Sequence, residues 1–219
     1  MAASTIITSV TDALLQILKN DLSASGTLAA SSIFVAPPEK AEEGIQQLIL
    51  YLYQVLESPF LKNTPSGGVH PPHKPIPPSP APQPGGQPTP PAAQTVTVPG
   101  VPLALDLHYL LIPSAPTMPI AAFLDTYTIL GAAMQSFHNH ASFCPGQLGA
   151  KFITEEEASL EFHLSLNPLS TSDLLRLWEA VHRPYRLSVA YVVRTVRIHG
   201  DLSTTAQLMS QRQFKVDQK

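Results

Sequence analysis

The stretch Leu177–Ile198, LWEAVHRPYRLSVAYVVRTVRI, decides the fold. It reads as the end of an amphipathic helix, a turn at Pro184, and one long strand. On strict alternation Leu187, Val189, Tyr191 and Val193 point one way, and Ala190, Val192, Val196 and Ile198 the other. A strand apolar on both faces must be covered on both, which places it near the middle of a sheet. A helix feeding such a strand implies an α/β sandwich.

Working back from that strand, Ser170 caps the preceding helix, with Asp173 three residues on as a short capping box. The helix presents Leu174, Leu177, Trp178 and Val181 as one stripe. Before it, Ala158–Leu166 alternates cleanly. Ala158, Leu160, Phe162, Leu164 and Leu166 are expected in the core, and Ser159, Glu161, His163 and Ser165 outside. Earlier still, Pro119 opens a helix whose expected buried stripe is Ile120, Phe123, Leu124, Tyr127, Leu130, Met134 and Phe137. It fades at His138-Asn139-His140.

Leu103–Ile112 is a strand with Leu103, Leu105, Leu107, Tyr109 and Leu111 on one face. Asp106 and His108 share the other face with Ala104 and Leu110. Leu48–Leu56, LILYLYQVL, fits a buried strand or a buried helix by pattern; its tyrosines and the closing Ser58-Pro59 favour a strand. A short strand over Ser32–Val35 and a first helix from Ser4 to about Leu22 complete the set. That helix carries Ile7, Val10, Leu14, Leu18 and Leu22 at helical spacing. The expected fold is therefore α/β (mixed α+β), a mixed sheet of about five strands with three helices packed on it.

Of 219 residues, 23 are proline, and most fall between Pro65 and Pro102. Proline removes amide donors and fixes φ, so neither helix nor sheet is expected there. The segment reads as polyproline II and flexible coil, reaching on the order of 100 Å if some 35 residues extend fully. Strands on both sides make it an insert within one domain. The expected organisation is one domain over 1–200, interrupted by a disordered insert at 64–101, with a polar arm at 201–219. The insert is either a tolerated surface loop or a docking arm for a proline-recognising partner.

Hydrophobic residues make up 44% of the chain, enough for a substantial core, while only 13% are charged, which predicts that much surface ends up covered. A net charge of −3 and the lack of a basic cluster argue against nucleic acid as a partner. A single cysteine, Cys144, rules out an intrachain disulfide and fits a reducing compartment. No run has the length of a transmembrane helix, and no signal-peptide pattern opens the chain, so cytoplasmic folding without membrane insertion is expected.

Catalytic patterns are missing. There is no phosphate loop, nucleophile elbow, HExxH or CxxC. Asp106 and His108 point the same way, so an acid–base pair is geometrically open; a hydrogen-bonded polar patch on a subunit-facing surface is the plainer reading. His138 and His140 suit a helix C-terminus better than a metal site. The expectation is a non-enzyme without cofactor or metal.

Several segments in order carry a resemblance: VTDALLQIL, LILYLYQV leading into ESPFLKN, PLALDLHYLLIP, ILGAAMQSFHNH, and DLLRLWEAVHRPYRLSVAYVVRTVRI. The most specific are DLHYLL at Asp106–Leu111 and the run Trp178–Arg197. Together the chain resembles the cap, or tail-terminator, family of contractile injection systems, phage-tail-like particles with a sheath around a tube. The resemblance covers roughly residues 4 to 200 without the insert. It implies a fold similar to phage tail terminators and a ring, most often a hexamer, that ends tube and sheath growth. It implies sheath or inner-tube proteins and other copies of the chain as partners, with assembly in the cytoplasm. On this view Asp106, His108, Glu161, His163, Arg194, Arg197 and Phe214 are candidate subunit or sheath/tube contacts. The tail from Gly200 is a candidate for strand addition to a neighbour.

Overall fold

The computed structural model describes residues 5–42, 44–59, 95–99, 103–144, 146, 160–198 and 203–207. The chain divides into two compact units, Met1–Lys62 with Leu103–Ile198, and Asn63–Pro102 with His199–Lys219.

In chain order the first unit contains α1 (Ile6–Ala24), β1 (Ile33–Val35) and β2 (Gln47–Glu57). In the second unit, β3 is Thr95–Pro99. The first unit resumes with β4 (Leu103–Ser114), α2 (Ile120–Asn139), β5 (Ser142–Phe143), β6 (Phe162–Leu166), α3 (Thr171–Ala180) and β7 (Val189–Ile198). The last strand, β8 (Ser203–Gln207), belongs to the second unit.

Among the described residues six strands form the main sheet, in the order β1-β2-β4-β7-β6-β5. The β1–β2 pair is parallel and every other neighbouring pair antiparallel. The expected mixed sheet with three helices is thus observed. LILYLYQV is a strand, and the two most apolar strands, β4 and β7, are interior. Ser142–Phe143 adds a strand beyond the five expected.

Each face of the sheet has its own core. On one face Leu105, Leu107, Tyr109 and Leu111 of β4 join Tyr191, Val193 and Val196 of β7 beneath α1 and α2. There α1 contributes Ile6, Val10, Ala13, Leu14, Ile17, Leu18 and Leu22 at helical spacing. The Tyr109 hydroxyl, buried with its strand, shares a 2.8 Å hydrogen bond with Thr11 of α1. On the opposite face Ile49, Leu110, Ile112 and Ala190 pack with Ala41 and Trp178 of α3. The Trp178 indole N–H donates to Ser188 Oγ at 3.2 Å, so its polar edge is satisfied inside the core. The Ser170 cap forms as expected: the Asp173 amide donates to Ser170 Oγ at 3.1 Å.

The structure departs from strict periodicity in four places. Across the β4–β7 ladder Leu105 pairs with Val196 but Leu107 with Val193, so two β7 residues face Asp106 alone. This bulge shifts the alternation by one. It turns Val196 to the same core as Tyr191 and Val193, not to the Ala190 side that sequence alternation assigned it. A second irregularity lies between Leu52 and Gln54 of β2.

The stripe assigned to α2 is inverted over its first half. Ile120, Phe123, Leu124 and Tyr127 are exposed, while Thr126, Ile129, Leu130, Ala133, Ser136 and Phe137 are buried. Apolar side chains lie on more than one face of the helix, so pattern could not select the inner face. Pro119 occupies the extended cap position instead of the first helical turn.

Among the described residues of the strand expected over Ala158–Leu166, Phe162–Leu166 is a strand and Leu160 and Glu161 are not; Leu166 is exposed. Ala158 and Ser159 lie outside the described residues.

In the second unit β3 and β8 form an antiparallel ribbon, from Thr95↔Gln207 to Pro99↔Ser203. A strand therefore forms within the range 64–101, where neither helix nor sheet was expected. Its TVTV run is β-branched at every position. Residues 60–94, which hold most of the prolines, lie outside the described residues.

Replacing the single tryptophan tests the α3 core. Trp178→Ala should lower unfolding free energy by about 3–5 kcal/mol, measured by urea denaturation followed by circular dichroism.

Candidate assembly surfaces

Six of the seven candidate contact residues lie within the described chain. Asp106 and His108 project from β4 on the α3 side of the sheet, as paired alternation requires. Arg194 and Arg197 lie along β7, with Arg197 in register with Ala104 and Arg194 with His163 of β6. The sheet thus brings Asp106, His108, Arg194, Arg197 and His163 onto one face. Glu161 is exposed and precedes β6, outside that ladder. Phe214 lies outside the described residues.

Asp106 sits opposite the bulge and is only 8% exposed; its Oδ1 has no hydrogen-bond partner. His108 does not bond to it. Instead Asn167 Nδ2 lies 3.1 Å from His108 Nδ1 and donates to the Tyr53 hydroxyl at 3.1 Å. The Tyr53 and His108 rings meet edge to face at 5.9 Å. With Asn167 donating, Nδ1 accepts, which requires the neutral imidazole. Burial lowers the His108 pKa from its ordinary value; Asp106 opposes this and Arg194 adds to it. The arrangement is a polar network holding the end of β6 against β4 and β2. It lacks the nucleophile–base contact of a catalytic site.

His163 Nδ1 lies 2.9 Å from Ser142 Oγ, linking β6 to β5. His140 sits at the α2 C-terminus, with Nδ1 3.0 Å from Ser136 O and 3.5 Å from Asp21 Oδ2. This is the helix-end role read from sequence. Among the described residues no group of three His, Cys, Asp or Glu side chains could hold a metal ion. No helix among them is long and apolar enough to cross a membrane.

The residues that sequence reasoning missed are on α2 and just before it. Met118 (78% exposed), Ile120 (72%), Leu124 (52%), Tyr127 (51%) and Phe123 (40%) form an outward stripe. Phe123 and Tyr127 meet edge to face at 5.7 Å. The available signal was a helix apolar on more than one face, which demands cover on more than one side.

A family model described as the Pvc16 N-terminal domain matches residues 9–212. Among solved structures, the chain is similar to the sheath/tube terminator, in the extended state, of PVC, an extracellular contractile injection system. Identity is 14% and the TM-score 0.54, over 97% of this chain and 64% of that one. The chain therefore spans less than two thirds of that terminator's length. It is also similar to the anti-feeding prophage cap, a tube terminating cap, at 13% identity and TM-score 0.45, over 88% of this chain and 58% of that one. Curated protein sequences give no match. The resemblance read from Asp106–Leu111 and Trp178–Arg197 is thus borne out in family and fold.

The His108 network sets a pH dependence. The folded pKa lies below the unfolded value of about 6.5, so the unfolded chain binds more protons as pH falls below it, and stability drops. His108→Gln should lose less stability than wild type between neutral pH and the acid side of that value. Equal slopes in denaturant titrations across the range would contradict the neutral-imidazole assignment.

Proposed function

The chain belongs to the Pvc16 N-terminal domain family, and from that membership we propose that it is the structural terminator of a contractile injection particle. Copies close into a ring, six by the family expectation, on the far end of tube and sheath. The family match across residues 9–212 carries this reading. The fold shared with a solved sheath/tube terminator supports it, as does the large apolar stripe left bare on α2.

Termination by this route needs no chemistry. A ring built from one repeated heterologous contact closes when the rotation per copy divides a full turn. One side of the ring fits the last sheath or tube layer. The other side offers no template, so growth stops. The protein then works by surface complementarity alone, with no cofactor, no nucleic acid and no membrane insertion. It assembles in the cytoplasm. Asp106, His108, Glu161, His163, Arg194, Arg197 and Phe214 are proposed contacts to neighbouring copies or to sheath and tube. The domain is proposed to run from 1 to 200 around the 64–101 insert, with an arm at 201–219. Within that arm Ser203–Gln207 already pairs with Thr95–Pro99 of the same chain. Strand addition to a neighbour therefore falls to residues past Gln207.

Imaging particles made with and without the chain tests the proposal. Uniform lengths are expected with it and scattered lengths without it; uniform particles in its absence would sink the reading. Truncation after Gln207 should preserve the fold but weaken capping, read as a broader length distribution.

A further inference from the structure

The polar network at the end of β6 is chemically two-sided. The register of β2 against β4 slips between Leu52 and Gln54. Tyr53 falls in that slip, and its side chain packs beside the Trp178 core, on the face where His108 also projects. The Asn167 main chain is fixed to β7, its N–H donating to Ala190 O at 2.9 Å. Its side chain then reaches two groups through one atom: Nδ2 stands 3.1 Å from the Tyr53 hydroxyl oxygen and 3.1 Å from His108 Nδ1. An amide nitrogen carries two protons, one for each. The other end of the amide is uncommitted. Asn167 is half-buried, and its Oδ1 makes no hydrogen bond among the described residues and is not a buried orphan, so water reaches it.

We propose that Asn167 is a two-way latch: when His108 takes up a proton, the Asn167 side-chain amide turns end for end, so that the end of β6 stays tied to β4 and β2 in both states. While His108 is neutral, Nδ2 donates to Nδ1 and to the Tyr53 oxygen. A proton on Nδ1 turns that acceptor into a donor, and two donors then face each other. Half a turn about Cβ–Cγ exchanges Nδ2 with Oδ1, atoms of nearly equal size, so the packing does not change. Oδ1 has two lone pairs. One accepts from the His108 Nδ1–H and the other from the Tyr53 hydroxyl, whose proton rotates to suit. The displaced NH2 donates to water. Two hydrogen bonds hold the junction before the turn and two after it. The bond to the imidazolium is the stronger kind, being charge-assisted, and offsets part of the cost of burying the charge. The charged and titratable groups around His108 fit this scheme. Asp106 of β4 favours the proton, and Arg194 of β7, in register with His163 of β6, opposes it. Tyr53 of β2 keeps its own proton, because burial pushes its pKa up. An aspartate in place of Asn167 could only accept and a lysine only donate; an amide does both.

The latch does not depend on the capping reading, and the full wild-type chain tests it. Histidine and asparagine are labelled with nitrogen-15, and the side-chain resonances are followed by NMR from above neutrality down through the His108 midpoint. Above the midpoint His108 is expected with Nδ1 bare and the proton on Nε2, and both Asn167 amide protons should be protected from exchange with water. Below it the Asn167 amide signals should have moved with the His108 midpoint, and their protons should exchange as fast as those of a water-exposed amide. In His108→Gln the Asn167 signals should no longer follow pH over that range. Any of four results would overturn the latch: a proton on Nδ1 above the midpoint, Asn167 amide protons still protected below it, Asn167 titrating unchanged in His108→Gln, or wild type unfolding before His108 is protonated.

Discussion

Burial of β4 on both faces is the constraint from which the rest of the molecule follows. Its residues alternate between two separate cores, with Leu107, Tyr109 and Leu111 on one side and Leu110 and Ile112 on the other. Such a strand is stable only when flanked and covered. The flanking comes from β2 and β7, and the cover from α1 and α2 on one side and α3 on the other. The tie from Thr11 to Tyr109 and the seating of Trp178 over Leu110 fix the two layers to this strand. Single hydrogen bonds contribute about 1 kcal/mol each, whereas each fully buried large aliphatic side chain contributes about 1.5–3 kcal/mol. Apolar burial therefore dominates, and the hydrogen bonds set register and orientation.

The bulge opposite Asp106 shows how a small irregularity redistributes that burial. Without it Val196 would face the polar side of the sheet. With it, β7 keeps the α1/α2 core supplied along its length, and Asp106 is left opposite two residues instead of one. A buried carboxylate oxygen without a partner is costly. It sits on the face where Arg194, Arg197 and His163 also lie, at the end of the sheet away from α3. That part of the face is polar, beside the apolar core that Leu110 and Ile112 share with Trp178, and its network around Asn167 holds strands together.

The apolar surface is distributed differently. Ile129, Leu130, Ala133 and Phe137 line the inner side of α2 with Thr126 and Ser136, and over its first half the large side chains Ile120, Phe123, Leu124 and Tyr127 point outward. An isolated domain gains nothing from this arrangement. In the proposed ring a subunit covered by its neighbour would lose nothing by it, because the water-exposed state would not be the working one. The low charged fraction of the chain, 13%, fits the same economy of surface.

The sequence by itself determined the three helices, the five principal strands and the class of fold, but not the short strands β3, β5 and β8. The two-faced run Leu187–Ile198 identified an interior strand, because covering both faces is the only way to bury such a segment, while the alternation in Leu103–Ile112 identified a strand without its place in the sheet. Ser170 with Asp173 marked the start of α3 through purely local chemistry, and the ordered segments around DLHYLL pointed to the family. Only the tertiary structure decided the strand order, the facing of Val196, and which side of α2 is buried. Strand order depends on contacts distant in the chain. A bulge depends on how two strands fit, and neither leaves a periodic trace. For α2 the pattern was ambiguous in principle: when both sides of a helix are apolar, hydrophobicity cannot choose between core and interface, and only the shape of the neighbouring surface does.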